Sequence, residues 1–135
     1  MIIVPDASAV IELVLGAGRS ERVSALVLDQ QAALCAPEIL PLEVVQVLRR
    51  LVRGRQLEEP RAVQALEDFR TLRVHLYGHT ALLGRMWVLR DNLTAYDAAY
   101  LALAEALEAT LVTLDQAFSD VAGSPAKVEV VSRAV

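Results

Sequence analysis

Ile2-Ile3-Val4-Pro5-Asp6-Ala7-Ser8-Ala9 begins as an apolar run of strand length and stops on a carboxylate. Residues 2–5 read as a short, fully buried strand, closed by Asp6. Residues 8–15 then read as a helix, ended near Gly16 and Gly18. The same order of strand, acid and helix returns at Leu111-Val112-Thr113-Leu114-Asp115, with a short helix from Gln116. Two such units in one chain point to an α/β fold, in which residues just past the strands gather at one edge of a parallel sheet.

The rest of the chain fits between those units. Residues 20–29 form a helical segment, and Ala32 to Ala36 a short strand stopped by Pro37. Pro41 suits a first helical position and opens a helix running to Gly54. Pro60 opens another, with Val63, Leu66 and Phe69 on one face. Residues 72–77 alternate Leu72, Val74 and Leu76 against Arg73, His75 and Tyr77, the pattern of a strand ended by Gly78. Helices are expected over about 80–90 and 95–108, a Gly-Ser-Pro turn at 123–125, and a last strand near Val128–Val131. Alternating strands and helices imply a parallel sheet covered on both faces.

Four acids sit at helix starts in this scheme: Asp6, Glu43, Asp97 and Asp115. Each also has an ordinary structural reading. Asp6 and Asp115 fit N-caps, Glu43 suits the positive end of its helix, and Thr94 with Asp97 resembles a capping box. Taken together they say more. Asp97 heads the stripe Leu101, Ala104, which should face the sheet and carries no basic residue. A carboxylate turned inward needs a partner. Like charges repel by about 4 kcal/mol at 4 Å and an effective dielectric of about 20. A hard divalent cation, Mg²⁺ or Mn²⁺, relieves that repulsion through oxygen ligands. Such a cation activates and orients water for attack on a phosphodiester. Ser8 and Thr113 lie two residues from Asp6 and Asp115, so their hydroxyls are candidates to hold a water of that cation, besides capping and strand roles.

Composition narrows the alternatives. The 135 residues suit one domain spanning 1–135, and 55% are hydrophobic, with mean hydropathy +0.41. No uncharged run reaches the ~20 residues of a membrane span, and the N-terminus does not read as a signal peptide. The apolar excess therefore points to a subunit or partner interface. Cys35 stands alone in an apolar run, as an inert core thiol in a reducing, cytoplasmic setting. A net charge of −4 means that any nucleic-acid contact uses local basic patches, nearly all Arg, since Lys127 is the only lysine. His75 and His79, with Gly78 between them and no cysteine pair, do not make a zinc site.

Thr94-Ala95-Tyr96-Asp97-Ala98-Ala99-Tyr100-Leu101-Ala102-Leu103-Ala104 closely resembles the central signature of PIN-domain ribonucleases, and more narrowly that of the VapC toxins of bacterial toxin–antitoxin modules. Asp6-Ala7-Ser8-Ala9, Pro41-Leu42-Glu43-Val44 and Thr113-Leu114-Asp115 resemble the family's other motifs, in matching order and spacing over nearly the whole chain. Residues 85–92 also look like this group, whereas Gln46 stands where many members have Asn. The resemblance implies a three-layer α/β/α sandwich around a parallel sheet and a Mg²⁺- or Mn²⁺-dependent endoribonuclease. It also implies a homodimer, and a cognate VapB-like antitoxin threaded near the active site. It carries catalytic roles onto Asp6, Glu43, Asp97 and Asp115, the first and last two as metal ligands.

Glu43, Gln46, Arg50 and Arg53 share one helix face, so Arg50 and Arg53 are expected to guide an RNA backbone toward the acids by phosphate contacts, with a solvated polar face as the plainer reading, above all for Arg53. Arg85 and Arg90 are further phosphate-binding candidates, and Trp87 is expected in the core or stacked on a base. The apolar faces of the helices near 42–54 and 61–70 are candidate dimer or antitoxin surfaces. An aspartate-phosphorylating domain is disfavoured: it needs a Lys near the phosphoryl group, and Lys127 is badly placed. A catalytically degenerate binding domain would lack an acid, and all four are present. A PIN ribonuclease of RNA processing or decay would need the same acids; the short length favours the toxin.

Overall fold

A computed structural model describes residues 1–16, 20–119, 121 and 123–132. The expected helix stop at Gly18 lies outside the described residues. Along the chain run β1 (Ile2–Pro5), α1 (Ala7–Leu15), α2 (Ser20–Val27), β2 (Ala33–Pro37), α3 (Leu40–Arg53) and α4 (Glu59–Thr71). They are followed by β3 (His75–Tyr77), α5 (Leu83–Val88), α6 (Ala95–Leu107), β4 (Thr110–Thr113) and β5 (Lys127–Val130).

All strand pairs are parallel, in the order β3-β2-β1-β4-β5. The chain lays down β1, β2 and β3 outward in one direction, then returns to place β4 on the other side of β1. The switch in direction falls between β1 and β4. In open α/β sheets the crevice at the carboxyl ends of such a pair is where ligands bind. Asp6 and Asp115 follow those two strands.

Strand periodicity divides the core in two. Val4, Cys35 and Leu111 belong to one cluster, with the buried faces of α1, α3, α4 and α6; Ile3, Leu34 and Val112 belong to the other, with Val23 and Val27 of α2. The neighbours Ile3 and Val4, Leu34 and Cys35, and Leu111 and Val112 thus feed opposite faces, as a two-residue period requires. The result is the three-layer α/β/α sandwich expected from the sequence.

Helix α6 carries the fold's centre. Ala98 to Ala104 are all buried, because α6 lies between the strands β1, β2 and β4 and the helix α5. Its alanines let backbones approach closely, and Leu101 fills the remaining space at 0% exposure. Leu101→Ala is expected to cost about 3 kcal/mol in urea unfolding, from lost transfer energy and the cavity left behind. A cost below about 1 kcal/mol would show that the layer collapses freely.

Several boundaries differ from expectation. Pro37 does not stop β2 but ends it as a paired residue, because a terminal position needs no ladder N–H. The strand expected over 72–77 is confined to His75–Tyr77, since Leu72 caps α4 and Arg73 turns left-handed at φ 52°. The helix expected over 80–90 splits into a 3₁₀ turn, Thr80–Leu82, and α5; the short helix from Gln116 is also a 3₁₀ turn. Val63 is exposed, because the buried face of α4 runs through Ala62 and Ala65 instead. Gly16 ends α1 at φ 66°, where its N–H bonds Glu12 O and any Cβ would be strained.

Candidate active site

The four acids come from four separate elements: Asp6 from the end of β1, Glu43 from the first turn of α3, Asp97 from the first turn of α6, and Asp115 from the loop after β4. They form a gradient from floor to rim. Asp6 is buried, Glu43 and Asp97 are half-buried, and Asp115 is exposed.

Asp6 is fixed most tightly. Its Oδ1 accepts from Ser8 Oγ at 2.6 Å and from the Ala9 N–H at 3.0 Å, which makes it the N-cap of α1. Its Oδ2 accepts from Thr113 Oγ1 across the switch between β1 and β4. Ser8 Oγ in turn accepts from the Leu114 N–H at 2.9 Å, and Thr113 Oγ1 accepts from the Asp115 N–H at 3.0 Å. Two hydroxyls thus join Asp6 to the loop that carries Asp115. The Ser8 and Thr113 hydroxyls, candidates to hold a cation's water besides their capping and strand roles, donate here to the Asp6 carboxylate and so position the acid.

Glu43 Oε1 accepts from Tyr100 Oη at 2.6 Å. Tyr100 is buried on α6 one turn after Asp97, so its hydroxyl holds α3 to α6 at the site. Burial, then its bond to Glu43, pushes the Tyr100 hydroxyl far above the ordinary phenol range, which keeps it a donor. Sequence reasoning missed this residue. Its three-residue spacing from Asp97, which puts both on one helix face, was the available signal.

Asp97 differs from the others. Thr94 Oγ1 accepts its backbone N–H at 3.2 Å, so the capping expected of Thr94 is formed. Its carboxylate has no hydrogen-bond or ion-pair partner among the described residues. Burial raises its pKa above the usual carboxylate range, with Asp115 and Asp6 adding like-charge repulsion. Burial raises Asp6 also, against hydrogen bonds that favour its charge, with a smaller push from Glu43. Glu43 is raised by burial, opposed by Tyr100 and helped by Asp97. Every acid in this group is linked to another by repulsion, and none is neutralised by arginine among the described residues.

Oxygen donors, excess negative charge and one unpartnered half-buried carboxylate fit a hard divalent cation. Among the described residues, no three acidic, histidine or cysteine side chains close on one point tightly enough to enclose a metal alone.

The raised values have a signed consequence. A carboxyl whose folded pKa lies above its unfolded value, about 3.9 for Asp and about 4.3 for Glu, is more protonated folded than unfolded. Its contribution to stability is complete below the unfolded value and is lost as pH rises through the folded one. Asp97→Asn removes one such group. In chelator, the variant and the wild type should unfold at similar urea concentrations near pH 3, and the variant should become the more stable as pH rises toward 7. A difference constant with pH would contradict the like-charge account.

The three arginines are distributed differently. Arg50 lines the groove beside Glu43. Arg85 does not join the acids: its Nε and Nη2 grip Glu105 at 2.6 and 3.0 Å, and Nη2 also reaches Gly123 O. Burial alone would raise Glu105, but Arg85 and Ser124 hold it below the usual range. Glu105 lies eight residues past Asp97, about 12 Å along α6. Arg90 stacks over Trp87 at 4.4 Å from the ring centroid and donates to Trp87 O. Trp87 is 68% exposed, so the core placement expected for it is wrong: α5 turns it outward. Cys35 is buried as expected, and no helix among the described residues is long and apolar enough to cross a membrane.

Comparison with known proteins places this geometry in context. The family profile of the PIN domain matches residues 3–124. A VapC ribonuclease of Mycobacterium bovis is 37% identical over 132 residues, covering 98% of this chain and 100% of that protein. A crystal structure of a Pyrobaculum aerophilum protein superposes with TM-score 0.70 at 21% identity, covering 96% of this chain and 84% of the other. VapBC2 of Rickettsia felis, bound to a DNA fragment from its promoter, superposes with TM-score 0.66 at 16% identity, covering 96% and 98%. At those identities the structural likenesses speak for the fold.

Proposed function

Since the chain belongs to the PIN-domain family, we propose that it is a divalent-metal-dependent endoribonuclease acting as the toxin of a toxin–antitoxin pair. The observation that carries the chemistry is Asp97, a half-buried carboxylate without a hydrogen-bond or ion-pair partner among the described residues, repelled by Asp6 and Asp115. The toxin role is supported by the near-complete match to a VapC ribonuclease and by the fold shared with a VapBC complex.

In this reading Asp6, Asp97 and Asp115 hold Mg²⁺ or Mn²⁺, partly through water. When bound, the ion supplies a nucleophile at neutral pH and offsets charge on the phosphate. The chain's residues do the rest. Ser8 and Thr113 orient Asp6 and tie it to the Asp115 loop. Tyr100 fixes one oxygen of Glu43, leaving the other to orient water or take its proton. Arg50, with no ion pair among the described residues, attracts the RNA backbone. Arg90 remains a candidate for a peripheral phosphate contact. Arg85 is the weakest of the three, because reaching phosphate means leaving Glu105.

The exposed apolar residues support the assembly part of the proposal. Val45 on α3 and Val63 on α4, neither of them lining the groove beside Glu43, offer surface to a VapB-like antitoxin or to a second copy in a homodimer. A cytoplasmic location belongs to the same reading. The test is cleavage of defined RNAs with Mg²⁺, Mn²⁺ or chelator, together with a search for a small adjacent reading frame encoding a DNA-binding antitoxin. Cleavage that survives chelation would overturn the mechanism. Metal-dependent cleavage without an adjacent partner gene would favour RNA processing or decay.

A further inference from the structure

A groove of about 400 Å³ lies beside Glu43, between α3 and the start of α6. Leu42 and Val47 form an apolar wall; Gln46, Arg50 and Tyr96 supply the remaining chemistry, and Glu43 stands where the groove meets the acids. Tyr96 is 60% exposed although it neighbours Asp97 in the first turn of α6. Among the described residues, the Gln46 amide, the Arg50 guanidinium and the Tyr96 hydroxyl have no hydrogen-bond or ion-pair partner.

We propose that this groove is a nucleotide subsite, taking the base and phosphate of an RNA residue that flanks the bond to be cut. The proposal rests on the ribonuclease reading and adds the part of the surface that grips the substrate. Glu43 and Arg50 are seven residues apart on α3, about 10 Å along the helix. The groove therefore has an acidic end that requires a cation and a basic end that requires an anion. A polynucleotide supplies the anion at the basic end and delivers a phosphodiester to the acidic one. In the same lining the exposed ring of Tyr96 offers a stacking face that any base can use. The Gln46 amide, which both donates and accepts, is suited to a base edge. A protein segment could cover Leu42 and Val47, but the exposed Tyr96 ring and the Arg50 guanidinium in the same lining match a base and a phosphate together.

The position of Tyr96 predicts how it acts. A stacked base is held equally before and during the reaction, so its loss raises KM and leaves kcat nearly unchanged. The experiment uses the full chain in chelator, to hold cleavage off. It measures fluorescence anisotropy with a short mixed-sequence single-stranded RNA and with the same backbone made abasic. Tyr96→Ala should weaken the normal RNA about tenfold and leave the abasic strand unaffected. Tyr96→Phe and Tyr96→Trp should keep wild-type affinity. Arg50→Ala should weaken both strands alike and flatten the salt dependence.

If Tyr96→Ala binds both strands as the wild type does, or weakens both equally, the subsite is overturned; a groove built for a protein partner gives the first of these results. Cleavage by the wild type on restoring metal separates the two failures. A wild type that cuts RNA while Tyr96→Ala binds unchanged removes the subsite alone. A wild type that neither binds nor cuts RNA removes the ribonuclease reading as well.

Discussion

Asp97→Asn is expected to lower RNA cleavage at neutral pH by at least a hundredfold while leaving the fold intact. The substitution keeps the size of the side chain and the backbone N–H that Thr94 caps. It removes an acid that both Asp6 and Asp115 repel and that no group among the described residues neutralises. Losing a ligand of this kind forfeits the electrostatic stabilisation of a metal-assisted phosphoryl reaction, where removal of even one neutral hydrogen-bond donor to a developing charge typically costs about 10²–10³ in rate. The same variant should be at least as stable as the wild type in chelator, because repulsion is relieved. That pairing of lost activity with retained or raised stability separates a working acid from a structural cap. A variant that loses both together would mark Asp97 as a cap.

Thr113→Val should have the largest effect on stability among substitutions at the site. Thr113 is 0% exposed, and its hydroxyl both donates to Asp6 Oδ2 and accepts from the Asp115 N–H. Valine preserves the shape and deletes both bonds. A hydrogen bond to a charged group contributes about 1.5–3 kcal/mol, and the partners left behind are short of water. A loss of about 3 kcal/mol is expected, read as a fall in Tm of about 10 °C for a chain of this size. Thr113→Ser should recover most of it, since the hydroxyl returns. A fall of less than about 2 °C for valine would mean that the bond across the switch point carries little, and that Asp6 is held by Ser8 and Ala9 alone.

The sequence made the layer order legible because the strands are short and buried on both faces. Ile2 to Pro5 and Leu111 to Leu114 admit little but parallel strands, and an acid follows each. Local periodicity also placed Asp97 inward, since Leu101 and Ala104 share its stripe and are buried. It failed where the cause is distant in the chain. Arg85 and Glu105 are twenty residues apart, and only the packing of α5 on α6 joins them. Tyr100 and Glu43 meet across fifty-seven residues. Ser8 and Thr113 were recognised by their two-residue offsets from acids, yet both turn to the same acid, because β1 and β4 lie side by side at the switch. Trp87 misled through its type: an aromatic residue favours the core, but α5 is a single short helix packed on α6, and Trp87 lies on its exposed surface.

The account depends on a carboxylate pocket whose mutual repulsion is relieved by a hard cation. Calorimetric titration of Mn²⁺ into the wild type and Asp97→Asn at neutral pH tests this most directly, without needing the RNA substrate. The wild type should bind the ion saturably, release it to chelator and gain thermal stability from it, whereas Asp97→Asn should show weak binding or none. Equal binding by both proteins, or none by the wild type, would contradict the account.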